Sequence, residues 1–100
     1  MTTLNILAIG RNQAIMEVVL RLINQHPGWV GDLAPSVEAG LGLLSLEKYG
    51  IVLLCGGITP EEEQMFMTQA SKLAVPPRII RHYGGGSGLL ENEILGAISS

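Results

Sequence analysis

The stretch Ile51-Val52-Leu53-Leu54-Cys55-Gly56-Gly57-Ile58-Thr59-Pro60-Glu61-Glu62 sets a buried-type strand directly before a helix start. Five consecutive apolar residues with no polar face suit a strand covered on both sides, as in a parallel sheet. Gly56 and Gly57 close it. Thr59 then stands as an N-cap, Pro60 fits the first helical position, and acidic residues fill the first turn. Glu62, three residues after the cap, completes a capping box. Phe66, Ala70 and Leu73 continue as the inner face of this helix, with Met65 or Met67 alongside. Glu61, Glu62 and Glu63 read as a solvated first turn that compensates the helix dipole.

Working outward, the same strand-then-helix unit recurs. Leu4-Asn5-Ile6-Leu7-Ala8-Ile9 is a nearly continuous apolar run ended by Gly10. Asn12 caps a helix in which Ile15, Val18, Val19, Leu22 and Ile23 follow the helical period as the inner side, with Glu17 and Arg21 opposite. His26-Pro27-Gly28 stops it. Trp29 to Ala34 forms a second strand; Gly31 and Asp32 interrupt its apolar character, which places it at an edge, with Trp29 covering that edge or anchoring a second copy. Ser36 caps the next helix, whose inner side is Val37, Leu41, Leu44 and the stem of Lys48. Gly40 and Gly42 each weaken that helix by about 1 kcal/mol relative to alanine. Close approach to a sheet or to a second subunit would offset the loss. On the C-terminal side, Val75-Pro76-Pro77 resets the chain before a fourth strand, Arg78 to His82, and a last helix from about Ser87 to Ile98.

The resulting order is βαβαβαβα. Right-handed crossovers make the strands parallel, so the expected fold is a single α/β domain over residues 1–100. It is a three-layer αβα sandwich of flavodoxin-like type, with a four-stranded parallel sheet in order 2-1-3-4.

Composition narrows the function classes. Apolar residues make up 47% of the 100 positions and charged residues 15%, which argues against disorder and for apolar surface shared with a partner. A homodimer is therefore expected. The net charge of −3, with no Lys/Arg cluster, argues against a nucleic-acid footprint. The uncharged runs are far short of a membrane span and no secretory leader pattern is visible, so the reading is a soluble, cytoplasmic protein that does not engage membranes. The single Cys excludes an internal disulfide and fits a reducing compartment.

Over roughly residues 4 to 83 the pattern resembles the receiver domain of two-component response regulators. Trp29-Val30-Gly31-Asp32-Leu33-Ala34-Pro35-Ser36-Val37-Glu38-Ala39 is similar to the family's second strand and the entry to its second helix. Tyr49-Gly50-Ile51-Val52-Leu53-Leu54-Cys55 resembles the strand that normally ends in the phosphoacceptor aspartate. The resemblance implies a phosphorylation site, and the residues present depart from it. Gly10 and Arg11 stand where receivers carry Mg²⁺-binding acids, Cys55 stands at the phosphoacceptor position, and His82 replaces the expected hydroxyl residue. The fifth strand, with its lysine, is lacking. A hard cation has no carboxylate cage in such a set. The expectation is a truncated pseudo-receiver that cannot run aspartyl phosphotransfer and needs no cofactor or metal. Loss of the family's fifth strand and helix would also leave the fourth strand's side of the sheet open to a partner.

Ligands of open parallel sheets sit beyond the carboxyl ends of the strands, at the switch in strand order. That edge would gather Gly10, Arg11 and Asn12 from strand one, Cys55, Gly56 and Gly57 from strand three, and His82, Tyr83, Gly84, Gly85, Gly86, Ser87 and Gly88 from the turn after strand four. Backbone N–H groups of such a glycine-rich turn, a helix N-terminus and the Arg11 guanidinium would together favour a small anion or a nucleotide. The same glycines also make tight turns with no ligand, and the sequence leaves both readings open. Cys55 and His82, ending neighbouring strands, form a candidate catalytic pair in a competing enzyme reading, with Asn12 as the orienting group. A strand-end Cys is more often a small buried hydrophobe. Three classes therefore stand: an interaction module, a small enzyme and a nucleotide-binding regulatory domain.

Overall fold

A computed structural model describes residues 3–81, 92 and 94–96 of the chain. Its order is β1 (Leu4–Ile9), α1 (Gln13–Gln25), β2 (Trp29–Ala34), α2 (Val37–Leu46), β3 (Ile51–Leu54), α3 (Pro60–Ala70) and β4 (Arg78–Arg81), and residues 92 and 94–96 are helical. Each of α1, α2 and α3 starts where a side chain caps it. Asn12 Oδ1 accepts from the Ile15 N–H at 3.1 Å, Ser36 Oγ from Ala39 at 3.2 Å and Thr59 Oγ1 from Glu62 at 3.1 Å. Glu62 Oε1 returns the last of these by accepting from the Thr59 N–H at 3.0 Å, closing the capping box.

The four strands form one parallel sheet in the order β2-β1-β3-β4. Leu4 aligns with Trp29, Ile6 with Ile51, and Ile51 with Arg78. Because side chains alternate along a strand, the sheet supports two separate cores. Ile6, Ala8, Ile51 and Leu53 meet Met16, Val19 and Ile23 of α1, together with Trp29, Cys55 and Ile94. Leu7, Ile9, Val52 and Leu54 meet Val37 and Leu44 of α2 and Phe66 and Ala70 of α3. Helices on both faces complete the expected αβα sandwich. The fully buried Ile94 belongs to the α1-side core, against which Ile80 of β4 is partly buried.

Side-chain phase departs from expectation in α1. Ile15 and Val18 are exposed, whereas Met16, a flexible side chain suited to core or interface filling, is buried. The Asn12 cap fixes where the helix begins, and the face that meets the sheet is then Met16-Val19-Ile23. Among the α2 glycines, Gly40 is buried: a Cβ there would lie within 3.0 Å of Ile9 Cδ1, 3.1 Å from Ile9 Cγ1 and 3.4 Å from Phe66 Cε2. Its compensation is therefore the sheet. A Cβ at Gly42 would meet nothing within 4 Å, so the described chain supplies no such compensation there.

The polar break in β2 has a use. Tyr49, buried just before β3, donates its hydroxyl to Asp32 Oδ2 at 2.7 Å, with Glu47 Oε2 at 3.5 Å. Burial first, then Asp32 and Glu47, pushes the phenol pKa well above its ordinary value, so the proton stays on the hydroxyl and the edge strand is tied to the α2–β3 connection. At the same edge Trp29 is buried and stacks on His26, with ring centroids 3.6 Å apart and planes 13° from parallel.

Candidate strand-end site

The carboxyl ends of β1 and β3 flank the switch in strand order, and the loops that leave them are held together by backbone bonds. Gly10 N–H donates to Ala34 O at 3.1 Å, Arg11 N–H to Gly56 O at 3.4 Å and Cys55 N–H to Ile9 O at 2.8 Å. Gly10 is glycine for reasons of space: a Cβ would lie 2.5 Å from Met16 Sδ and 3.1 Å from Cys55 Cβ. Gly57 has φ +90°, a conformation that side chains disfavour, and a Cβ there would lie 3.1 Å from Arg11 Cβ. Gly56 is exposed with open space around it. A shallow cavity of about 200 Å³ lies beside Arg11, lined also by Gly10, Gln13, Met16, Leu33 and Pro35.

The guanidinium of Arg11 is committed. Nη1 donates to Glu62 Oε1 at 2.8 Å and also to Gly57 O, and Nη2 donates to Glu62 Oε2. This two-pronged match suits a planar guanidinium and a carboxylate. One turn-starting residue thus caps α3, clamps Arg11 and, through Arg11, ties the β1–α1 loop to the β3–α3 loop. An anion that used Arg11 would first have to displace Glu62. The neighbouring Glu63 pairs with Arg81 at the end of β4. The first turn of α3 is therefore a staple between strand ends as well as a dipole-compensating turn.

The Arg11 hydrogen bond, followed by the Thr59 N–H, holds the Glu62 carboxyl down to about 2, against an ordinary value of 4.5. Its folded-state value lies below the unfolded one, so its contribution to stability is fully present above about 4.5 and is lost as pH falls towards about 2. Melting temperature followed from neutral pH to pH 2 should therefore fall through that window in the wild type. The Glu62→Gln variant, which keeps a capping side chain, should show a visibly shallower fall. Parallel curves for the two proteins would remove Glu62 as the group responsible.

Of the candidate residues, the structure brings Gly10, Arg11, Asn12, Cys55, Gly56 and Gly57 to one edge, with Asn12 engaged as the α1 cap. His82, Tyr83, Gly84, Gly85, Gly86, Ser87 and Gly88 lie outside the described residues. Cys55 is 3% exposed and packed in the α1-side core beneath Gly10. Glu62, Glu63 and Arg81 were not foreseen at this edge. Their signal was topological: a helix that leaves β3 at its carboxyl end sets its first turn beside the ends of both neighbouring strands. Among the described residues, no three His, Cys, Asp or Glu side chains gather closely enough to hold a metal ion, and no helix is long and apolar enough to cross a membrane. Neither a protein-family model nor a curated protein matches the chain.

Proposed function

We propose that the chain is a non-catalytic, receiver-like binding and interaction module that is not phosphorylated on aspartate. The observation that carries this reading is the content of the switch-point edge. Where phosphotransfer through an acyl phosphate needs a free carboxylate nucleophile beside metal-binding acids, this edge offers Gly10, Arg11 and a buried Cys55. Of the carboxylates that the first turn of α3 brings to this edge, Glu62 has both oxygens engaged by Arg11 and Thr59, and Glu63 is paired with Arg81. An acid so held is a poor nucleophile, because attack requires giving up charge-assisted hydrogen bonds. The parallel 2-1-3-4 sheet supports the likeness to a receiver at the level of fold.

Incubation with acetyl phosphate and Mg²⁺, followed by intact-mass analysis under conditions that preserve acyl phosphates, is expected to show no phosphoryl adduct. Stoichiometric labelling of an aspartate would overturn the reading.

A further inference from the structure

We propose that the solvent face of α2 and α3 binds a second copy of this chain about a two-fold axis, with each helix antiparallel to its counterpart. This deepens the interaction-module reading and rests on it. The first observation is an apolar groove between the helices, about 270 Å³ in volume, lined by Leu41, Leu44, Ser45, Met65, Gln69 and Leu73. It runs into a second cavity of about 330 Å³ at the helices' C-terminal ends, where Leu46 is 80% and Val75 is 73% exposed. Exposed apolar side chains gathered along such a groove mark contact sites.

The second observation is the charge along that face. Both helices return antiparallel to the strands, so their N-termini lie at one end and their C-termini at the other. Exposed Glu38 and Glu61 stand at the N-terminal end, and exposed Lys48 and Lys72 at the C-terminal end. Glu62 and Glu63 are drawn off towards Arg11 and Arg81, and although Glu47 is exposed at the C-terminal end, Lys48 and Lys72 leave that end net positive. A copy laid down in the same direction would set like charges together. A two-fold axis lying across the helices sets Glu38 opposite the partner's Lys48 and Glu61 opposite the partner's Lys72. A surface whose two ends carry opposite charge is complementary to itself, which is why the occupant is a second copy.

The third observation lies at the middle. Gly42 is close to the midpoint between Glu38 and Lys48, is exposed, and has open space where a side chain would stand. Glycine weakens a helix relative to alanine. At the crest of α2 it permits close approach of another backbone, and under this symmetry each Gly42 lies near its own copy.

Sedimentation velocity over a concentration series tests the proposal with three proteins beside the wild type. The wild type is expected to show a concentration-dependent rise towards twice the chain mass. Gly42→Gln meets no neighbour within its own chain, so circular dichroism should show an intact fold while the dimer dissociation constant rises at least tenfold. Lys72→Glu should weaken the dimer similarly, and adding Glu61→Lys to it should restore affinity to within about threefold, an exchange that only facing charges explain. A wild type that stays monomeric at hundreds of micromolar, or a dimer indifferent to Gly42→Gln and Lys72→Glu, would overturn the proposal. Neither result bears on phosphoryl labelling, so this surface and the non-catalytic reading fail separately.

Discussion

Phe66→Ala is expected to destabilise the fold by about 3–5 kcal/mol, the range for truncating a buried aromatic side chain. Phe66 has no exposed surface and joins α3 to the sheet and to α2, beside Gly40 and Ile9. It is also the chain's single phenylalanine, in a core otherwise built almost entirely of aliphatic side chains. Truncation would leave a void that Val37, Leu54 and Ala70 can fill only by moving elements tied to β1 and β3. Against a total stability of about 5–15 kcal/mol for a domain, such a loss is severe. At about 4–8 °C per kcal/mol for a chain of this size, the melting temperature should fall by more than about 10 °C. Phe66→Leu, which keeps most of the volume, should lose far less. Chemical denaturation followed by circular dichroism measures both, and an alanine loss below about 1 kcal/mol would mean that this side chain is not a core support.

Gly40→Val should rank with it, through too much matter rather than too little. A Cβ at Gly40 already intrudes on the end of Ile9, a side chain with no exposed surface in which to retreat. The expected loss is about 3 kcal/mol, the upper end of the usual overpacking range. The cause can be isolated by removing the obstructing atom. Ile9→Val deletes Cδ1 at a cost of about 0.5–1.5 kcal/mol. Gly40→Ala should then be better tolerated in that background than in the wild type, because the gain in helix propensity remains while the worst overlap is gone. A coupling of about 0.5–3 kcal/mol between the two sites is expected from residues in contact. Strict additivity would show that α2 moves away from the sheet as a whole.

The strand order and the helix starts were legible because local chemistry and topology agree. Asn12, Ser36 and Thr59 each stand one residue before the first helical turn, and each caps it. The continuous apolar runs around Ile6 and Val52 become the two central strands, while the interrupted run around Asp32 becomes an edge. What escaped the sequence depends on distance along the chain. Seven apolar residues crowd α1 between Ile15 and Ile23, so two adjoining faces satisfy the helical period equally well. The fit of Met16 against Gly10, next to Cys55, decides between them. Arg11 and Glu62 stand 51 positions apart, and only the placing of β3 beside β1 brings them into contact. Arg11 was legible as a charged residue at the right edge. Its partner was not, because Glu62 already had a sufficient local role as half of a capping box.

The stack of Trp29 on His26 gives the molecule an optical property with a definite address. The chain has one tryptophan, and its indole belongs to the α1-side core together with Ile94, on the opposite face of the sheet from Phe66. Tryptophan emission therefore reports on one layer of the sandwich, whereas the far-ultraviolet signal sums helices on both faces. Loosening of the α2–α3 layer alone would leave the emission unchanged while ellipticity fell. Coincident fluorescence and dichroism transitions would show that the two layers, divided by the sheet, melt as one cooperative unit.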